Sequence, residues 1–121
     1  MSVRVYKKDQ ALDPYSERVK AHGSVSGAVA LSFSQGAVHT VTASDDITFS
    51  FTNWPKASGY SDGLGLVLTN GGAHVITWPG AVIWPGGDAP SLTESGVDRL
   101  VFVSENAGTT IHGFLAGADI S

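Results

Sequence analysis

The sequence predicts an all-β fold, an antiparallel β-sandwich of jelly-roll type led by a short N-terminal arm. Three observations carry that expectation. The 121 residues include 15 glycines, and only 15% are charged while 42% are apolar. Ser and Thr are frequent and the surface helix formers Glu and Lys are scarce, a composition of short strands and tight turns. Stretches of strict two-residue alternation recur along the chain, the mark of strands with one buried face. Turn signals separate these stretches at a spacing of about 8–12 residues, as in antiparallel sandwiches and barrels.

The leader comes first and stands apart by charge. Residues 1–20 hold Arg4, Lys7, Lys8, Arg18 and Lys20 against Asp9, Asp13 and Glu17, a net of +2, whereas the remainder sums to −6. Such a block is either an ordinary polar leader or a separate attachment arm, 1–22, that docks on something other than its own body, 23–121. Val3 and Val5 flank Arg4 in a short alternating stretch. Asp13 before Pro14 reads as an N-cap with proline at the first helical position. Glu17 early, Lys20 and His22 late, and Gly23 as a left-handed stop complete a helix of one or two turns near 14–21. So short a helix needs a surface to pack on.

The body follows. Over 24–34, Val25, Gly27, Val29, Leu31 and Phe33 alternate with Ser and Ala, a first strand. Residues 38–43 form a second, closed by a turn at Ser44, Asp45 and Asp46. Ile47, Phe49 and Phe51 mark a third, ended by Asn53, Trp54 and Pro55. After a polar loop, Leu64, Leu66 and Leu68 mark a fourth, closed by a hairpin-type turn at Asn70, Gly71 and Gly72. A fifth spans 73–78, Pro79 and Gly80 suit the centre of a type II turn, and a short sixth spans 81–84. Beyond the loop that carries Pro90, a seventh runs over 99–104 and an eighth over 109–115, with a turn at 105–108 between them.

Chemistry is sparse. The length fits one domain. The absence of cysteine excludes disulfides, thiolate metal sites and cysteine catalysis. No apolar run approaches a membrane span of about 18 residues, and the first residues lack a signal peptide's apolar stretch, so synthesis in the cytoplasm without signal-directed export is expected. A net charge of −4 argues against nucleic-acid binding. His22, His39, His74 and His112 are scattered, with no pair at the i, i+4 spacing of a zinc helix, so no metal and no cofactor are expected. Asp45 and Asp46 can hold calcium, but such a pair more often bonds its own turn backbone. Gly63-Leu64-Gly65 lacks a nucleotide loop's context, and no Ser sits in a Gly-x-Ser-x-Gly turn. A small hydrolase acting on surface polysaccharide is the weakest of the readings, and the expectation is no enzyme. The tryptophans all precede proline: Trp54-Pro55, Trp78-Pro79 and Trp84-Pro85. Proline holds the residue before it extended, so each indole sits at a stiff strand end. Two readings compete. Trp54, Tyr60, Trp78 and Trp84 stack on sugar rings, or they plug the ends of the fold and fill an interface.

The block Trp78-Pro79-Gly80-Ala81-Val82-Ile83-Trp84-Pro85-Gly86-Gly87, followed by Ala89-Pro90-Ser91-Leu92-Thr93, resembles a small β-domain of tailed-phage and prophage virion appendage proteins. The likeness continues through Gly96-Val97-Asp98-Arg99-Leu100-Val101-Phe102 and Ala107-Gly108-Thr109-Thr110 to Gly113-Phe114-Leu115-Ala116-Gly117. Upstream, 46–51 and 64–69 are similar to the family's earlier strands. The resemblance covers roughly 23–120. It implies a non-enzymatic structural role in the virion, usually as a homotrimer, with no catalytic residues. Such domains usually end longer chains, whereas here the domain nearly fills the sequence. The expected role is a capsid decoration protein, head fibre or short tail appendage, attached to capsid or tail proteins through the arm residues Arg4, Lys7, Lys8, Arg18 and Lys20. The alternative is a carbohydrate-binding module for adsorption to a host-surface glycan. Neither reading involves nucleic acid or membrane insertion.

Overall fold

Seven strands and three short 3-10 turns account for the regular structure of a computed structural model, which describes residues 16–56 and 59–120. The strands are β1 (Val19–Ser32), β2 (Val38–Thr52), β3 (Asp62–Thr69), β4 (Ile76–Thr77), β5 (Val82–Ile83), β6 (Val97–Ser104) and β7 (Ile111–Gly117). No α-helix occurs among the described residues. The all-β expectation holds.

The pairing is not that of an antiparallel sandwich. One hydrogen-bonded sheet runs in the order β1-β2-β3-β6-β7-β5, with β4 added on β2. Only β3–β6 and β6–β7 are antiparallel; β1–β2, β2–β3, β2–β4 and β5–β7 are parallel. A straight 14-residue β1 would span about 46 Å. The six backbone steps from Ser32 to Val38 reach back at most about 22 Å. Parallel pairing across so short a connection therefore requires β1 to curl back to its own start. The register of β1 against β2 breaks between Ala21 and Gly23 and between Val25 and Gly27, and both glycines sit at φ 75°. These left-handed positions are the corners, free of cost only to glycine. The seam closes where Val38 N–H donates to the Arg18 carbonyl at 3.3 Å. Gly36 lies against the same carbonyl, 2.5 Å from where a Cβ would stand.

Several expected elements change at this seam. Residues 16–18 have no regular structure and β1 starts at Val19, so the described part of the expected 14–21 helix is absent. Capping signals favour a helix locally, but Val19, Lys20 and Ala21 gain a ladder against Val38, His39 and Thr40. The expected boundary at 22/23 thus falls inside β1. Arg18 is exposed just before that strand and Lys20 is half-buried within it. Arg4, Lys7 and Lys8 lie outside the described residues.

The turn expected at Ser44, Asp45 and Asp46 is instead a bulge inside a continuous β2, which carries two more residues than β1 between successive pairs. The chain bends there: β2 pairs with β3 before the bulge and with β4 after it. Asn70 turns left-handed at φ 62°, but the chain enters a 3-10 turn at Gly71–Ala73 and no hairpin forms, because β4 joins β2. The Pro79 turn closes through Val82 N–H to the Pro79 carbonyl at 3.1 Å, one residue later than a type II turn centred on Pro79 and Gly80.

The alternating faces meet in one core of Val29, Leu31, Val41, Ile47, Phe49, Leu64, Leu66, Leu68, Leu100, Phe102 and Ile111, joined by Trp54 and Trp84. The other faces of β6, β7 and β5 point outward.

Candidate functional site

The tryptophans are structural. Trp54 and Trp84 are only 6% and 8% exposed, and Trp78 packs against the same cluster. Trp54 meets Phe33 and Phe51 edge-on at 4.6 and 5.5 Å between ring centres. Trp78 stacks on Phe49 at 5.2 Å and meets Trp84 edge-on at 5.3 Å. Gly113 makes room for Trp84, whose ring would lie 2.7 Å from an added Cβ. The stiff Trp-Pro steps therefore aim the indoles inward, as edge-to-face packing favours. Of the four aromatics named as a sugar platform, Tyr60 alone projects, at 65% exposure. The indole N–H of Trp54 is buried without a hydrogen-bond partner.

Grooves of about 300 Å³ flank this plug, one lined by residues including His74, Trp78, Ser91 and Leu92, the other by Asn53, Trp54, Lys56 and Gly108. No serine–histidine side-chain hydrogen bond exists in either among the described residues.

Two polar centres are built inside the fold, and neither was legible from spacing. The first is His39, fully buried on β2. Its Nε2 lies 3.0 Å from both the Ser32 and the Gly36 carbonyl oxygens, so that nitrogen carries the proton and donates. Its Nδ1 then accepts from Nε2–H of His22 at 2.8 Å. The rings stack with centres 5.1 Å apart. Burial holds both imidazoles below the ordinary histidine value; for His22 the neighbouring His39 and Lys20 add to the effect, while for His39 the two carbonyls oppose it.

The second is Asp98 on β6, with no exposed surface. Its carboxylate accepts from Thr93 N–H and Thr93 Oγ1–H, both at 2.7 Å, and from Asp119 N–H at 3.0 Å. Burial pushes its pKa up, but these donors outweigh it and the net displacement is downward. Asp98 thereby ties the loop that precedes β6 to the chain that follows β7.

At the β2 bulge, Asp45, Asp46 and His74 bring one ligand atom each within 4.8 Å of one another. His74 Nδ1 stands 4.0 Å from Asp45 Oδ1, too far for a hydrogen bond. Asp45 Oδ1 accepts from Asp46 N–H at 2.8 Å, the local bond the turn reading expects, whereas Asp46 Oδ1 accepts from Val75 N–H at 2.8 Å, 29 residues away, and ties the bulge to the chain before β4. These three are the residues that could take a divalent cation. His74 counted in the sequence only among scattered histidines and was not joined to the two aspartates, because it lies 28 residues beyond Asp46.

The outer face of β5, β7 and β6 carries Ile83, Phe114 and Val101 at 52%, 44% and 36% exposure. Val101 pairs with Phe114 across the ladder, and Ile83 pairs with His112. Ile83, Trp84, Pro85, His112 and Phe114 line one shallow cleft. Comparison with protein-family models, curated proteins and solved structures finds no match.

Proposed function

We propose that this chain is a non-enzymatic structural component of a phage or phage-like virion, a capsid decoration protein, head fibre or short tail appendage. The single observation that carries the reading is the outward apolar strip of Ile83, Phe114 and Val101 on adjoining strands. Large apolar side chains contiguous on a sheet face mark a surface that another protein covers. The inward packing of Trp54, Trp78 and Trp84 favours the same reading, because it leaves Tyr60 as the one exposed ring of the four that a flat sugar platform would need, the indoles offering only edges to the grooves they line. The virion setting, the trimer and the docking through the basic leader rest on the resemblance and on the charge of residues 1–20. Synthesis is in the host cytoplasm, and the destination is the particle.

Labelled protein imaged on intact particles tests the proposal. Decoration at regular positions on head or tail supports it. Binding to a glycan array with no decoration of particles replaces it by the adsorption module.

A further inference from the structure

We infer that the His22–His39 pair is a proton-operated latch on the seam where β1 curls back to its own start. His39 bonds three parts of that closure. Its Nε2–H reaches the carbonyls of Ser32, the last residue of β1, and Gly36, in the connection to β2. Its Nδ1 receives His22, three residues into β1. The Arg18 carbonyl that accepts from Val38 N–H belongs to the same seam.

The proton arithmetic gives the latch two steps. His22 is half-buried, and its Nδ1 is not part of the bond. A first proton there makes His22 a cation while Nε2–H still donates to His39, and the seam stays shut. A second proton has only Nδ1 of His39 to occupy. Two N–H groups would then face each other across 2.8 Å, both on cationic rings, with no acceptor between them. That state is accommodated only if His22 swings away, which separates the start of β1 from β2. The cation of Lys20, on β1 between Arg18 and His22, pushes the same way. The 3-10 turn Phe33–Gln35 and the stretches of β2 and β3 that pair around His39 carry no other ionisable side chain. Glu17 precedes the strand and is exposed.

The sign follows from linkage. Both rings are held below the ordinary histidine value of 6.5, so the closed seam binds fewer protons than the open one. Closure is at full strength above pH 6.5 and weakens as pH falls below it. With two protons taken up, the opening constant rises by up to roughly a hundredfold per pH unit; with one, by up to roughly tenfold.

Amide hydrogen exchange on the full chain between pH 7.5 and 5, corrected for the intrinsic pH dependence, reads this directly. The amides of 19–25 and 38–43 should lose protection steeply on acidification, while those of β3 and β6 keep theirs. His22→Gln keeps a donor toward His39 but removes one titrating ring, and it should reduce the slope to the one-proton value. Ring-proton NMR of both histidines should give midpoints below 6.5. Protection at 19–25 that does not change with pH overturns the latch. So does a wild-type slope unchanged in His22→Gln, or ring midpoints at or above 6.5.

Discussion

Asp98 shows how one residue can fix two loops at once. A buried carboxylate is tolerated here because three donors replace its water. Asp98→Ala leaves all three without an acceptor in the interior and should cost about 3 kcal/mol or more in urea unfolding. Asp98→Asn tests the charge. The folded value of Asp98 is depressed, so its contribution is complete above the unfolded value near 3.8 and is lost as pH falls through the folded value. The stability gap between wild type and Asp98→Asn should narrow from pH 7 to pH 3. A gap that stays constant would mean the carboxylate's charge is not what holds the loops. In the sequence Asp98 was one acid among eleven. Nothing local distinguishes an aspartate that will be buried, since its partners lie 5 and 21 residues away. His39 was hidden for the same reason, its partner His22 being 17 residues off. The indoles were more legible, because a proline after each already fixed its backbone.

At the scale of elements, the recurrence at every second residue of Val29 and Leu31, of Ile47 and Phe49 and of the three leucines on β3 told correctly which face turns inward. Alternation does not say which strand pairs with which, and here pairing departs most from expectation. The glycines at 23 and 27 read as ordinary members of an alternating run or a helix stop. They are the bends that let consecutive strands lie parallel. The Asp45-Asp46 turn signal was real, but the chain spent it on a bulge rather than a reversal. Two substitutions separate corner from seam. At Gly27 an added Cβ meets nothing within 4 Å, so Gly27→Ala suffers left-handed strain alone, about 1–2 kcal/mol. At Gly36 the Cβ would stand 2.5 Å from a backbone carbonyl that cannot rotate away. Gly36→Ala should cost at least about 1 kcal/mol more than Gly27→Ala. Equal losses in thermal or urea unfolding would count against the curled seam.

For the whole molecule, the question is what the outward face of β5, β7 and β6 is for. It is built from the unburied side of strands whose other side forms the core, so its residues can change without disturbing packing. Phe114 points away from the core on β7, between Gly113, which makes room for Trp84, and Leu115, which packs inward. Placing a charge there should therefore affect association rather than folding. Phe114→Glu and Ile83→Glu should each leave the melting transition and the β-type circular dichroism in place, with stability within about 0.5 kcal/mol of wild type. If a second copy covers this face, light scattering after size exclusion should show wild type as an oligomer and either variant shifted toward monomer, since a charge in the centre of an apolar contact is left unpaired. Raising the salt concentration should not restore association, because screening weakens exposed charges far more than buried ones. Oligomers that survive both substitutions would place the contact elsewhere, and wild-type monomers at micromolar concentration would remove the second copy as the occupant of this face. The leader offers an independent control. A chain shortened to begin at Ser16 keeps every described pairing of β1, whereas one beginning at His22 forfeits the register pairs of Val19, Lys20 and Ala21 and the Arg18 carbonyl. If the Ser16 form associates like wild type, self-association belongs to the body and does not need residues 1–15.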